Sequence, residues 1–316
     1  MALELRQLQI IEAIARLGSV TRAAEELGLT QPAVSMQLKQ IEQRIGLPLL
    51  RRRGRLYEPT EAGEEIVRSA RQVAQTLADL DDALHRLRGL ERGHLRLGVV
   101  STANYFLPSY LVAFRRRHPG ITVTLHVANR DQVVQALEDN LVEIAIIGRP
   151  PDSTELFASR FMDNPLVVIA PPDHPLACEA AAGREPISLD CLARQPFVMR
   201  EPGSGTRAAF ERVLAASGVR VQQACVLASN EAVKQAVQAG LGLAVISAQT
   251  VETELQLGRL VTLNVQGFPI LRQWFVVHRA QRQLSPGARA FRDLLRELRA
   301  PSLGSRPRAR SVVAAG

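Results

Sequence analysis

Residues Val20–Ile45 read VTRAAEELGLTQPAVSMQLKQIEQRI, and this stretch decides the fold of the N-terminal part of the chain. Val20, Ala23, Ala24 and Leu27 recur at helical spacing behind Ser19, whose hydroxyl suits an N-cap. Gly28 follows, where a helix end needs a residue that tolerates a left-handed backbone. Thr30 offers an oxygen to a second helix, and Pro32 falls in its first turn, where a missing N–H costs nothing. Val34, Leu38, Ile41 and Ile45 form the inward stripe of that helix and leave Gln31, Ser35, Met36 and Lys39 facing outward. Small alanines on the first helix let the second cross it closely, the arrangement of a helix-turn-helix.

The flanking sequence extends this motif. Leu8, Ile11, Ile14 and Ala15 predict a third amphipathic helix before it, enough for a small three-helix core. After it, LLRRRGRLYEPTEAG crowds Arg51, Arg52, Arg53 and Arg55 around Gly54 and leads into Glu58 and Pro59. This reads as a short basic hairpin, or wing. Arginines beside such a helix fit phosphate contacts, which add affinity without reading sequence.

Thr60-Glu61-Ala62-Gly63-Glu64 supplies an N-cap followed by acids, and predicts a helix from Thr60 to about Gly89. Ile66, Ala70, Val73, Leu77, Leu80, Leu84 and Leu87 fall at alternating steps of four and three along it, a heptad seam. A helix of ~30 residues is ~45 Å long, more than a three-helix domain can cover. The seam therefore needs another helix. A second copy of the chain is the simplest source, and the chain's own C-terminal part is the rival.

At 316 residues, 46% hydrophobic and 22% charged, the chain has room for two or three globular domains. No apolar run approaches the ~18 residues of a membrane span, and the start MALELRQLQI lacks a signal peptide's apolar core. A net charge of +8 favours a polyanionic partner. All but two of the 39 Lys and Arg residues are arginine, the exceptions being Lys39 and Lys234. Cys178, Cys191 and Cys225 have no CxxC spacing and read as ordinary reduced thiols of a cytoplasmic protein. The histidines are scattered, and no metal site is expected. The tail SLGSRPRARSVVAAG reads as disordered.

From Gly93 the pattern becomes strands alternating with helices. Strands are predicted at His94–Val99, Ile121–Val127, Ile144–Ile147, Leu166–Ala170, Phe197–Met199, Ala224–Leu227, Leu243–Ile246, Leu260–Val265 and Trp274–His278. Helices are expected at Tyr105 to Arg117, Gln132 to Glu138 and Ser285 to Leu298. Such alternation implies parallel sheets, with ligands bound where strand ends face helix starts, and the strand count fits two small α/β lobes. Ser101-Thr102-Ala103-Asn104 follows the first strand and opens a helix. Arg200-Glu201-Pro202-Gly203-Ser204-Gly205-Thr206-Arg207 does the same after Met199. Each turn is either a capped helix start or an anion site. GSGTRA is a poor dinucleotide fingerprint, because no acid follows at ~20 residues, and no Gly-Lys-Ser/Thr makes a Walker loop.

The first ninety or so residues resemble a LysR-type transcriptional regulator. The AAEELGLTQPAVSMQLKQIE hairpin, the wing and the TEAG helix start are all present, in order, and the likeness continues to about residue 300. The resemblance implies an α/β fold with an all-α N-terminal part. A winged helix-turn-helix domain (1–59) and a dimerising linker helix (60–90) would precede a two-lobed effector domain (93–300) like a periplasmic binding protein, with a tail at 301–316. The chain would cross between lobes near Met162–Asn164 and Val265–Phe268, giving lobe I as 93–162 and 268–300 and lobe II as 163–267.

It further implies contacts to promoter DNA from Thr21, Arg22, Thr30, Gln31, Pro32, Ser35, Met36, Lys39, Arg51, Arg52, Arg53 and Arg55. An effector would bind at Ser101, Thr102, Asn129, Arg149, Glu201, Gly203, Ser204, Gly205, Thr206 and Arg207. Met36 departs from the pattern, since many members carry a basic residue there. A methionine can touch a thymine methyl but cannot pair with guanine as arginine does.

Within the family, NPLVVIAPPDHPLA and MREPGSGTR are most similar to regulators of Calvin-cycle carbon-fixation operons. That likeness implies an activator tuned by an anionic co-inducer, either a phosphorylated metabolite or a reduced dinucleotide, with no bound cofactor, acting as a homodimer or homotetramer with RNA polymerase. The alternatives are a regulator of aromatic or carboxylate catabolism, and an α/β enzyme carrying a DNA-binding domain. No G-x-S-x-G elbow or Ser/His/Asp arrangement supports the enzyme.

Overall fold

The computed structural model describes residues 3–87, 92–182 and 185–298. The expected disordered tail at 301–316 and the last residues of the expected linker, 88–90, lie outside them. The chain divides into two compact units, one built mainly on residues up to Arg92 and the other on those from Gly93 onward.

The first unit runs α1 (Leu5–Leu17), α2 (Val20–Leu27), α3 (Gln31–Ile45), β1 (Leu50–Arg53), β2 (Leu56–Pro59) and α4 (Glu61–Leu87). Local chemistry sets these boundaries. The Ser19 hydroxyl accepts from the N–H of Arg22, and Gly28 ends α2 at a φ of 65°. Thr30 accepts from the N–H of Ala33 at the start of α3. Ile10, Ile14, Ala23, Ala24, Val34, Leu38 and Leu50 pack as one core. A second cluster of Ile11, Ile41, Leu49 and Val67 fastens the base of α4 to it. Gly63 is required there, because a Cβ would stand 1.9 Å from the Leu49 carbonyl oxygen. Thr60 holds the same junction, donating to Pro48 O at 2.7 Å and accepting from the Gly63 N–H at 3.1 Å.

The second unit contains two sheets. Its first half runs β3 (Gly93–Val100), a 3-10 turn (Ser101–Tyr105), α5 (Leu107–Arg117), β4 (Ile121–Ala128), α6 (Arg130–Glu138), β5 (Ile144–Ile147) and β6 (Leu156–Asp163). Next come β7 (Leu166–Ala170), α7 (Pro175–Ala182), α8 (Leu189–Ala193), β8 (Pro196–Arg200), α9 (Gly205–Ser217) and β9 (Gln222–Leu227). The remainder is α10 (Asn230–Gln238), β10 (Ala244–Ser247), α11 (Glu252–Gln256), β11 (Val261–Leu263), β12 (Gln273–Arg279) and α12 (Pro286–Glu297).

The first sheet has the order β4-β3-β5-β12-β6, with Leu97, Val99, Phe114, Ile144, Trp274 and Phe291 packed on one face and Val133, Leu137, Ala145 and Val277 on the other. The second has β7 between β10 and β11, and an Phe197–Leu243 bridge sets the β8-β9 pair beside β10.

Four expectations need correction. The sheets are mixed, not parallel, because β12 returns antiparallel to β5 and β6 and β7 lies antiparallel to both its neighbours. Strand β6 is absent from the sequence reading because LFASRFMD is an edge strand whose only buried residue is Phe161, so it carries no apolar run. Ser101–Asn104 form a 3-10 turn, and the α-helix starts only at Leu107, where Pro108 fits the first turn.

The fourth correction concerns the return between lobes, which lies at Leu271–Arg272 rather than Val265–Phe268. Ile270 still pairs with Leu166, and its N–H donates to Leu166 O at 2.9 Å. The two crossings run side by side, the Asn164 N–H donating to Arg272 O at 2.8 Å.

Candidate nucleic-acid interface and anion pocket

On the first unit, Thr21, Arg22, Thr30, Gln31, Pro32, Met36 and Lys39 are exposed and Ser35 is half-buried. Gln31 Nε2 donates to Ser35 Oγ at 2.9 Å, so the serine proton remains free for another acceptor. Arg51, Arg52, Arg53 and Arg55 project from the hairpin β1-β2. Arg51 and Arg53 share Glu58 at 3.8 and 3.6 Å, a loose pairing of exposed charges that a phosphate can replace. Helix and wing thus present one set of hydrogen-bonding groups and one set of exposed cations.

On the second unit, a solvent-open cleft of about 360 Å³ lies between the two sheets. Val100, Ser101 and Thr102 line it from the end of β3, and Asn129 and Arg130 from the start of α6. Gly148 follows β5, Arg200 ends β8, and Ser204, Gly205 and Thr206 open α9. Asn164, Arg272 and Trp274 close it at the crossings.

Arg200 is buried and held by both oxygens of Glu201, at 2.7 and 2.9 Å. Its head also donates to Asn230 Oδ1 and, at 3.4 Å, to Ser101 Oγ on the opposite lobe. Arg130 is matched by Asp131 at 2.9 Å. Among the described residues, Arg272 donates at 2.8 Å only to the neutral carbonyl of Gly205. Burial, then the charges of Arg212, Arg130 and Arg149, push its pKa down to about 10, so it stays a cation at neutral pH in a field of like charge. Trp274 spends its ring N–H on Gln249 at 3.0 Å and offers the cleft an apolar surface. The cleft is chemically suited to a small anion.

The structure brings six of the ten expected effector residues together here: Ser101, Thr102, Asn129, Ser204, Gly205 and Thr206. Arg149, Glu201, Gly203 and Arg207 do not line the cleft. Arg149 turns its head outward towards Asp152 and gives only its carbonyl to Arg130. Glu201 is the counter-ion of Arg200. Gly203 shapes the turn at a φ of 83°. Arg207 bonds Glu211 and the carbonyl of Arg200. Arg130, Gly148, Asn164, Arg200, Arg272 and Trp274 were not expected. Arg200 and Arg130 adjoin residues that were singled out. Asn164 was expected at a crossing but not as a cleft residue, and Arg272 lies just past the expected return; only the double crossing places them in the cleft.

Among the described residues no cluster of His, Cys, Asp and Glu could hold a metal ion, and no helix is long and apolar enough to cross a membrane. Cys178, Cys191 and Cys225 are free thiols.

Two family models match: the bacterial regulatory helix-turn-helix protein, lysR family, over residues 5–64, and the LysR substrate binding domain over residues 88–300. The chain belongs to the LysR-type transcriptional regulators. This regulator is 51% identical over 295 residues to the RuBisCO operon transcriptional regulator of Allochromatium vinosum, covering 93% of this chain and 96% of that one. It is 40% identical to the HTH-type transcriptional activator CmpR of Synechocystis, over 92% of this chain and 94% of that one. The solved regulatory domain of Synechocystis CcmR in complex with 2-PG is 40% identical, with a TM-score of 0.62 over 66% of this chain and 98% of that one. Full-length CbnR bound to its target DNA shares the fold, at a TM-score of 0.66 and 21% identity over 93% of this chain and 99% of that one.

Proposed function

We propose that this regulator controls a carbon-fixation operon, acting mainly as an activator, and responds to a small phosphorylated anion bound in the cleft. The 51% identity to a RuBisCO operon regulator over nearly the whole of both chains carries the choice of operon. The arginine-lined cleft, together with 2-PG in the related CcmR domain, supports the ligand class. Promoter DNA is bound by α3 in the major groove and by the wing on flanking phosphates. Two copies join along α4, where Val73, Leu77, Leu80 and Leu84 are exposed in the single chain, and pairs of dimers form the tetramer that engages RNA polymerase. The experiment is protection mapping of DNA upstream of RuBisCO genes, with and without 2-phosphoglycolate. Protection whose extent changes with the ligand supports the reading. Protection unmoved by phosphorylated anions but altered by aromatic acids would favour a catabolic regulator instead.

A further inference from the structure

The two crossings meet at a place that no secondary-structure element explains. Asn164 is 3% exposed, and its Oδ1 accepts from Ser247 Oγ at 2.8 Å, which turns Nδ2 the other way. That Nδ2 has no partner among the described residues and faces the cleft. Arg272, on the other crossing, spends Nη1 on Gly205 O and has no carboxylate partner among the described residues. Both free donors converge on Gly148. A Cβ at that position would stand 2.7 Å from Arg272 Nη2 and 3.1 Å from Asn164 Nδ2. Gly148 has no positive φ, so a side chain there would not strain the backbone but would press on both donors and displace the Arg272 head from its place. Nearby, Thr206 is 8% exposed and lines the same cleft, and its hydroxyl makes no hydrogen bond among the described residues.

We propose that the joint between the lobes is itself a ligand subsite: Arg272 and Asn164 donate to the phosphoryl oxygens of the effector in the space left by Gly148. This rests on the reading of the cleft as a pocket for a phosphorylated anion. Arg200 and Arg130 already have acidic partners, whereas Arg272 does not, so the ligand supplies the missing negative charge. A phosphoryl group with its charge of nearly −2 and three acceptor oxygens satisfies a guanidinium and an amide together, which a singly charged carboxylate does less well. Arg272 is therefore the residue that selects phosphate over carboxylate. A ligand held at both crossings also fixes the angle between the lobes, which gives it a differential hold on one conformation.

The test is calorimetric titration of the full chain, at one pH and salt, with 2-phosphoglycolate, inorganic phosphate and succinate. Wild type should prefer phosphoglycolate to succinate. Arg272→Gln should weaken phosphoglycolate at least about tenfold, the low end for a hydrogen bond to a charged group. It should change succinate less, so that the preference collapses, and Arg272→Lys should restore part of it. Gly148→Ala keeps every donor and should still lose phosphoglycolate. Asn164→Asp keeps the Ser247 bond, places a carboxylate beside Arg272, and should exclude all three anions. Thermal melts without ligand and operator binding report whether each variant is folded. Wild-type affinity and preference in folded Arg272→Gln and Gly148→Ala, with Thr206→Val abolishing binding, would overturn the subsite and leave the phosphorylated-anion pocket standing. A wild type that binds neither phosphoglycolate nor phosphate would overturn the pocket, and the subsite with it.

Discussion

Asn230 Nδ2 donates to Thr102 Oγ1 at 3.3 Å, a hydrogen bond from one lobe to the other across the cleft. Asn230 Oδ1 meanwhile accepts from Arg200, so this buried amide is satisfied on both sides. Thr102→Val would leave a buried N–H unpaired, at a cost of about 1–3 kcal/mol. Denaturant unfolding should register that loss. Thr206→Val breaks no internal hydrogen bond and should leave stability unchanged while removing the ligand response. Equal stability in the two variants would show that the Thr102–Asn230 bond contributes nothing.

On the proposed reading, phosphate and base contacts should separate by residue on the first unit. Arg53, whose side chain is 79% exposed, should act on phosphate, so Arg53→Ala should weaken operator and random DNA alike and lower the salt slope by ~1 unit. Ser35→Ala removes the hydroxyl proposed to read base edges and should narrow the gap between the two DNAs. Competition binding at several salt concentrations distinguishes these behaviours. If both variants behave alike, the division of labour is wrong.

Leu80 is 54% exposed on the single-chain helix α4, in line with Val73, Leu77 and Leu84. A charge placed in a closed seam costs several kcal/mol by usual estimates. Leu80→Asp should therefore dissociate the dimer and reduce operator affinity with it. Light scattering that finds the wild-type mass would refute pairing through this face.

Tyr105 donates to Glu231 on the other lobe. Burial, then that bond, raises its phenol to about 12. An unfolded phenol titrates near 10, so the folded state holds its proton more tightly. The contribution is whole below about pH 10 and is lost as the pH climbs towards 12. Lys234 is raised too, because Glu231 and Glu254 outweigh its burial, and it fails in the same alkaline direction. Tyr105→Phe should flatten the alkaline decline in stability without abolishing it, since burial also raises Tyr110. Urea titrations from pH 8 to about pH 11.5, spanning the free phenol's ~10, measure this slope. Identical slopes in wild type and variant would rule the linkage out.

The N-terminal motif was legible because its determinants are local. Ser19, Gly28, Thr30 and Pro32 each act on their own turn, and the wing follows from a glycine among arginines. The strands of the second unit were legible where both faces are buried, as in Ile144–Ile147 and Leu166–Ala170. Edge strand β6 was not, because Phe161 is its only buried residue and apolar Phe157 is exposed, which leaves neither an apolar run nor an alternation to read. The cleft was half legible. Ser101, Thr102, Ser204 and Thr206 sit at element ends, which sequence marks. Arg272 and Asn164 reach the cleft only because the chain crosses twice; the resemblance places the first crossing near Met162–Asn164, but neither residue type marks a ligand contact there. Strand direction failed for the same reason. Alternation of strands and helices cannot reveal that the chain has left for another sheet and come back reversed.

Lys234 is 3% exposed, its ammonium clasped by Glu231 and Glu254 at 2.8 Å and set 4.9 Å from the centre of the Tyr105 ring. That burial has a practical side. The sequence holds one other lysine, Lys39, which is exposed on the outer face of α3. Amine-directed reagents therefore meet a single accessible side chain on the folded protein, and it lies on the helix proposed to enter the groove. A fluorophore carried on an active ester would mark Lys39 alone, apart from the chain terminus. Bound operator would shield it, so the labelling rate itself becomes a gauge of occupancy.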